Sequence, residues 1–468
     1  MGRGRRAWIA VLSAAALMCT ACASGRLTAT SPGPAPVGVI STTPTTNAAV
    51  APLTEPLRRP DSTQVTVPAP ATPASATQSP DPPPTPAPAP EPAPASSAEP
   101  TPEPTPPPDP TPAPDHLVGE PGPGVENYPC PGVRCVTLAM TGDVLLHPEL
   151  VAQARADGSD TGDGTDGLDF FPMLAAQQPY VDSADVGICH LETPLAPAGG
   201  PFSGYPSFSV PPQVLPALVR TGYDACSTAS NHTFDRGTDG IDRTLDDLDA
   251  AGLLHDGSYR TEADSRRPVI INTPNGRVGF ISVAYDFNGL TLDEPWQADT
   301  IDTDAILAKA HAARAAGADL VVVAMHGGEE YDSTPNAQQK AAAKALLGSP
   351  DVDLVYGHHA HVVQPMEKIN GKWAIYGLGN NIAAQGTEMT GTRDGLLVRV
   401  QFSQAADGSW STSDVAWVAS YQDLTSPFRW CALSSDHRCG PEDAASLART
   451  TATVNAWGAA ADGAHRLD

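Results

Sequence analysis

Residues 319–326, DLVVVAMH, and 352–358, VDLVYGH, are two apolar runs rich in valine, and each ends on histidine. Between them lies 337–347, AQQKAAAKALL, built from strong helix formers. Apolar runs of this length read as strands buried on both faces. Strand, helix and strand at this spacing predict a mainly parallel sheet covered by helices. Working outward, 136–143, 186–192 and 225–231 read as further buried strands, and 211–221, 240–251 and 303–316 as helices. Asn275-Gly276 and Asn370-Gly371 sit between apolar runs and predict hairpins. Residues 396–402 and 415–421, separated by Asp407-Gly408, add a β-rich stretch. The expected fold class is α/β with added antiparallel strands, and no internal repeat is visible.

Composition divides the chain. Of its 468 residues 50 are proline, and 28 of these fall in residues 1–114. That is too many for one compact domain, so a Pro-rich segment and a folding segment are expected. The acidity belongs to the folding part. Residues 115–468 hold 46 acidic against 21 basic side chains, within a chain of net charge −26. With no basic stripe to neutralise phosphates, a nucleic-acid partner is excluded.

The first residues read as an address. Arg3, Arg5 and Arg6 precede an apolar run from Ala7 to Met18, too short to span a bilayer and suited to a signal peptide. Cys22 after the small residue Ala21 resembles a bacterial lipobox and is the expected lipidated residue; Cys19 follows the larger Met18. Lipidation at Cys22 and a plain cut nearby both export the mature chain, which the first anchors to the membrane; Arg5-Arg6 leaves twin-arginine export open. Residues 1–22 are thus the signal segment. Residues 23–115, dominated by Pro, Ala, Thr and Ser, form a disordered tether that cannot bury enough surface to offset its ordering entropy. Residues 130–425 form the folded domain and 426–468 a C-terminal extension.

In an exported protein Cys130/Cys135 and Cys431/Cys439 can form local disulfides, or the two ends can cross-link. Cys189 and Cys226, inside expected strands, read as buried thiols. No set has the spacing and partners of a structural zinc site.

Polar residues stand where buried strands meet their following loops. Asp143 ends AMTGD, Glu192 ends GICHLE, Asn231-His232 ends STASNH, His326 ends VVVAMH, and His358, His359 and His361 end VYGHHAH. In an open α/β sheet, ligands bind beyond the carboxyl ends of the strands, so these groups should converge on one crevice. Residues 359 and 361 alternate by two, which in an extended segment aims both imidazoles to one side. Carboxylate, amide oxygen and imidazole form a ligand set suited to Mn, Fe or Zn. Two such ions can activate a water for attack on phosphorus. His116, His311, His437 and His465 lie in tail, helix or loop contexts and carry no site role. His147 and His255 are intermediate; so is His190, which is expected to point away from Glu192.

The succession TGDVLLH, HLETPL, TASNHTFDRG, AMHGGEEY, YGHHAHVVQPME and YGLGNN, running from about Thr137 to Phe402, resembles the CapA family. These are metallophosphatase-like proteins associated with poly-γ-glutamate capsule synthesis. The resemblance implies a calcineurin-like fold, a four-layer αββα sandwich around a dinuclear centre. By motif, Asp143, Glu192, Asn231, His326, His359 and His361 would hold metal. His232 would contact substrate and protonate the leaving group, and Asp235 would orient it through its second ring nitrogen. His358 and Asn380 are additional candidates. The pattern departs at four places: Leu145 replaces the histidine of Asp-x-His, Glu192 a shorter aspartate, and His190 an asparagine, while the late motif reads Gly379-Asn380-Asn381.

Two functions compete. One is an extracytoplasmic metal-dependent hydrolase of a phosphoester or envelope-polymer linkage. The other is an accessory that binds or guides an anionic capsular polymer without turnover; a structural envelope lipoprotein is the third. The net negative charge repels a polyanion at long range, so polymer binding requires bound cations or a local positive site.

Overall fold

A computed structural model describes residues 129–386, 389–434 and 439–467. The signal segment with Cys22, the tether 23–115, His116 and His437 lie outside the described residues.

The chain first lays down four parallel strands, β1 (Arg134–Val144), β2 (Val186–Leu191), β3 (Ala225–Ser227) and β4 (Leu254–Asp256). Helices α1 (Pro148–Thr161), α2 (Phe171–Leu174), α3 (Gln178–Val181), α4 (Val214–Thr221) and α5 (Gly237–Ala251) connect them. In α5, Ile241, Leu245 and Leu248 recur at i, i+4 and i+7 and are buried, and Gly252 closes the helix at a φ of 78°. After α6 (Glu262–Ser265) the chain builds a second sheet from β5 (Val269–Asn272), β6 (Arg277–Ala284), β7 (Leu320–His326), β8 (Leu354–His358), β9 (Met366–Ile369) and β10 (Lys372–Ile375). Its order is β5-β6-β7-β8-β10-β9, with β6, β7, β8 and β10 parallel. The two Asn-Gly hairpins are the β5–β6 and β9–β10 connections. The crossovers are α7 (Thr303–Ala315), capped by the Asp302 carboxylate, and α8 (Ala337–Leu346), opened by an Asn336/Gln339 capping box.

The chain then returns to the first sheet through β11 (Asn380–Ile382), β12 (Asp394–Gln404), β13 (Trp410–Asp423), β14 (Arg429–Leu433), α9 (Asp443–Val454) and β15 (Ala464–Arg466). That sheet is ordered β14-β13-β12-β1-β2-β3-β4, with β11 on β1 and β15 on β13. Residues set apart in the sequence as a C-terminal extension thus add strands to it, and Leu433, Val454 and Ala464 enter the core between the sheets.

Alternation along the strands builds the layers. In β7, Leu320, Val322 and Ala324 face the first sheet, while Val321, Val323 and Met325 pack under α7 and α8. In β2, Val186 and Ile188 face the second sheet, while Cys189 and Leu191 face the outer helices. The result is the four-layer αββα sandwich that the resemblance implied.

Two expectations are corrected. Cys189 and Cys226 are not free thiols but a disulfide: they are direct partners on β2 and β3, with Cα atoms 4.5 Å apart. The local pairs Cys130–Cys135 and Cys431–Cys439 are also bonded. The third strand, expected to reach Asn231, ends at Ser227, and residues 228–231 form the loop that carries the amide.

Asp256, at the end of β4, joins the two sheets. Its carboxylate accepts from the Ser282 N–H of β6 at 2.9 Å and lies 3.0 Å from the Tyr259 hydroxyl. Burial, reinforced by the Asp299 charge and opposed by Lys309, raises its pKa to about 7. The folded state therefore holds a proton that the unfolded chain, near 3.9, has released. This contribution to stability is complete below about pH 4 and is lost as pH rises through 7. In Asp256→Asn the dependence of unfolding free energy on pH across that window should flatten; denaturant titrations at several pH values measure it. An unchanged slope would refute the assignment.

Candidate metal centre

The carboxyl ends of β1, β2, β3, β7 and β8 meet at one edge of the sandwich, and the polar residues they carry are brought together there. Asp143 reaches it through a bulge. Met140 pairs with Ile188, but Asp143 pairs with His190, so β1 carries one residue more than β2 over this span. The extra residue reverses the parity of the strand and turns Asp143 to the same inner face as Met140. Gly142 makes this possible, since a Cβ there would lie 1.9 Å from the Gly379 carbonyl oxygen of the adjacent β11 connection.

Asp143 is fully buried and organises one half of the cluster. Its Oδ1 lies 2.9 Å from His358 Nδ1, and its Oδ2 lies 3.1 Å from His361 Nδ1 and accepts from the His359 N–H at 3.2 Å. Burial pushes the Asp143 carboxyl up, but the hydrogen bonds from His358 and His361 outweigh it and hold the group well below the usual carboxylate range. Glu192, just beyond β2, is pushed well up by burial. Its Oε1 stands 3.7 Å from His361 Nε2, beyond hydrogen-bond distance, and neither oxygen has a hydrogen-bond partner. His361 also contacts Asn380 Oδ1 at 3.1 Å.

The other half is a chain of side chains. Asn231 Oδ1 lies 2.9 Å from His326 Nε2, His326 Nδ1 lies 2.9 Å from His190 Nε2, and His190 Nδ1 lies 2.8 Å from Ser227 Oγ. Ser227 Oγ in turn stands 3.3 Å from the Cys189 carbonyl. A chain that ends on a carbonyl accommodates the tautomer in which every proton points away from His326 Nε2, leaving that nitrogen's lone pair beside Asn231 Oδ1. Burial lowers the pKa values of His190 and His326 well below 6.5, and that of His359 to about 3, so their rings are neutral at pH 7.

His190 is the residue that the sequence reading misplaced. Expected only to point away from Glu192 and given no role, it belongs to the cluster: it shares the inner face with Val186 and Ile188, bonds His326, and stacks on His358 with ring centroids 4.0 Å apart. The alternation 186, 188, 190 carried that signal. His358, ranked below its neighbours, contacts Asp143 directly. The loop after β8 is not extended, since His359 and His361 adopt φ values of 86° and 56°. Both histidines still reach the cluster, but through left-handed turns rather than strand alternation. His147 contacts the Leu145 carbonyl and the Ala384 N–H outside the cluster, and His255 lies beside Asp249 at the surface.

His232 flanks the cluster one residue from Asn231. Its Nδ1 donates to Asp235 Oδ2 at 2.8 Å, and its ring packs edge-on against Phe208 at 4.7 Å. Asp235 Oδ2 also accepts the Phe208 N–H at 2.7 Å, so the carboxylate is fixed from two sides. Asn288, which the sequence did not single out, accepts from Asn231 Nδ2 at 3.2 Å.

The donors fit a cation. Three groups, Asp143/His190/His326, Asp143/Glu192/His361 and Glu330/His359/His361, each offer ligand atoms within 4.8 Å of one another. Four buried polar atoms here, both Glu192 carboxylate oxygens, His358 Nε2 and His359 Nδ1, have no hydrogen-bond partner. Burying such atoms unpaired is costly, and an ion gives them a partner. The mixed imidazole, carboxylate and amide set suits a divalent transition metal.

Fold and site together define a four-layer α/β sandwich with a buried imidazole–carboxylate cluster at the strand ends. The sequence profile of the bacterial capsule synthesis protein PGA_cap matches residues 137–385, and the chain belongs to that family. It is 31% identical over 280 residues to the capsule biosynthesis protein CapA of Bacillus anthracis, covering 56% of this chain and 63% of that one. It is 29% identical over 207 residues to the PGA biosynthesis protein CapA of Bacillus subtilis, covering 42% and 52%. It is 27% identical over 215 residues to a probable polyglutamine synthesis accessory protein of Mycobacterium tuberculosis, covering 42% and 55%. The matched stretch thus spans between about half and under two thirds of these relatives. Among solved structures, the calcineurin-like phosphoesterase YfkN of Bacillus subtilis aligns at 15% identity with a TM-score of 0.40, covering 68% of this chain and 97% of that one. A phosphatase from Mycoplasma pneumoniae aligns at 14% and 0.38, covering 61% and 93%.

Proposed function

We propose that this chain is an exported, metal-dependent hydrolase acting on a phosphoester or an envelope-polymer linkage in capsule or poly-γ-glutamate synthesis. The observation that carries the reading is the His232–Asp235 pair beside the cluster. A site built only to hold a cation has no use for an imidazole whose Nδ1 is fixed by a carboxylate and whose Nε2 is left to exchange a proton. In the hydrolase, Asp143, Glu192, Asn231, His326, His359 and His361 hold two divalent ions, Mn, Fe or Zn, with His358 and Asn380 fixing Asp143 and His361. Bound there, the ions supply Lewis acidity to a phosphoryl oxygen and a nucleophile at neutral pH. As the imidazolium, His232 gives its Nε2 proton to the departing oxygen, and Asp235, accepting from Nδ1–H, orients the ring and stabilises its charge. The wall formed by Phe208 limits water on one side of the ring.

The location is part of the proposal: a lipid anchor at Cys22 and the Pro-rich tether hold the domain on the outer face of the membrane. No helix among the described residues is long and apolar enough to cross a bilayer. The second reading is an accessory that binds an anionic capsular polymer without turnover; the Mycobacterium tuberculosis relative's name, a probable polyglutamine synthesis accessory protein, supports the accessory part of it. The purified protein, loaded with Mn²⁺, should hydrolyse an aryl phosphomonoester or phosphodiester. Full metal content with no turnover on a broad phosphoester panel, together with cation-dependent retention of polyglutamate, would establish the second reading instead.

A further inference from the structure

We propose that Glu330 is a metal ligand, the carboxylate partner of His359 and His361 at the mouth of the site. The inference rests on the metal-binding part of the function proposed above and adds to it a residue on a different loop. Ligand atoms of Glu330, His359 and His361 lie within 4.8 Å of one another, although Glu330 is exposed and both histidines are buried. The second observation is at the histidine. His359 Nδ1 is a buried nitrogen with no hydrogen-bond partner, in a residue only 3% exposed.

The backbone holds Glu330 in place. After β7 the chain reverses at Gly328, whose φ of 132° is open to glycine, and a Cβ there would meet the Gln339 side chain at 2.9 Å. The loop is then stitched to the histidine loop at two points. The Gly327 N–H donates to the His358 carbonyl at 3.3 Å, and the Tyr331 N–H donates to the Ala360 carbonyl at 2.8 Å. Ala360 lies between the two histidines, so the residue before Tyr331 is tied to the segment that carries both imidazoles. The neighbouring Glu329 accepts from Asn336 Nδ2 at the start of α8, whereas Glu330 is hydrogen-bonded to the Tyr331 side chain.

Two imidazoles and one carboxylate suit a borderline divalent ion. Glu330, itself exposed, brings a negative charge to a set whose other carboxylates, Asp143 and Glu192, are buried. It also places one ligand where solvent and substrate reach the ion first.

The test uses the purified full chain, stripped with chelator and reloaded with Mn²⁺ or Co²⁺. Elemental analysis gives the stoichiometry, isothermal titration the affinity, and the visible absorption of Co²⁺ the coordination. Glu330→Gln should lose one ion, or bind its weaker ion more than about tenfold less tightly, beyond the lower end of what an indirect partner costs. Its cobalt spectrum should shift while its melting curve stays in place. Glu329→Gln should match wild type, and Glu330→His should regain affinity by offering a ligand nitrogen. Wild-type stoichiometry, affinity and cobalt absorption in Glu330→Gln would overturn the assignment and leave the deeper centre standing. No metal uptake by wild type would overturn the centre itself and this ligand with it.

Discussion

His232→Ala is expected to lower phosphoester hydrolysis by roughly 10²–10⁴-fold, the range contributed by a positioned general acid. Metal content should not change, because the imidazole is tied to Asp235 and Phe208 rather than to the ligand groups. The loss should therefore fall on kcat. It should be smallest for substrates with activated leaving groups such as p-nitrophenolate, which need little protonation. Asp235→Asn should fall between wild type and His232→Ala and alter the pH profile, since the amide can present its N–H to Nδ1 and favour the wrong tautomer. A His232→Ala enzyme with wild-type kcat on an alkyl phosphoester would remove His232 from the chemistry. Stability must be followed in parallel for Asp235, which also accepts the Phe208 N–H.

The second large effect is expected at Asp143. This carboxylate is fully buried and faces His358, His361 and the His359 N–H at once. Removing one member of such a buried constellation leaves the others unpaired, at a cost of about 3–5 kcal/mol. Asp143→Ala should therefore unfold at markedly lower denaturant than wild type even in chelator, and should take up less than half the metal. Asp143→Asn, which keeps the volume and one acceptor, should recover much of the stability but not the metal. If Asp143→Ala retained both stability and metal content, the cluster would have to be organised around Glu192 instead.

The sandwich was legible because strands buried on both faces admit few compositions. The run at 319–326 is unbroken apolar from Leu320 to Met325, 352–358 is apolar apart from Asp353 and Gly357 until its terminal histidine, and the helix between them has a different alphabet. The strand ends were legible for the complementary reason: a polar group at the end of such a run must have a partner or a function. What escaped depends on events of one residue or on register. The bulge before Asp143 inserts a single position, which periodicity along β1 cannot reveal, yet it decides which way the carboxylate points. The turns at His359 and His361 replace an extended segment by two left-handed residues, stabilised by contacts from a loop about thirty positions earlier. Cys189 and Cys226 bond because parallel strands set them opposite each other, a register that their separation of 37 does not encode. Glu330 escaped because it lies beyond the strand end, in a loop whose return depends on Gly328.

The bulge and the two sheets have a consequence for how the centre is dimensioned. Asp143 belongs to one sheet, whereas His326 and His358 belong to the other, with His359 and His361 on the loop that follows it, and between the sheets lies a core that includes Met140, Ile188, Phe280 and Tyr356. The thickness of that hydrocarbon layer sets the ligand spacing, as a spacer sets the gap of a calliper. Close-packed interiors transmit volume changes instead of absorbing them. A displacement of about 1 Å at a reacting centre can cost about 10²-fold in rate. Relatives that differ only in aliphatic and aromatic residues of this layer can therefore differ in the cation they accept while keeping every polar residue of the site.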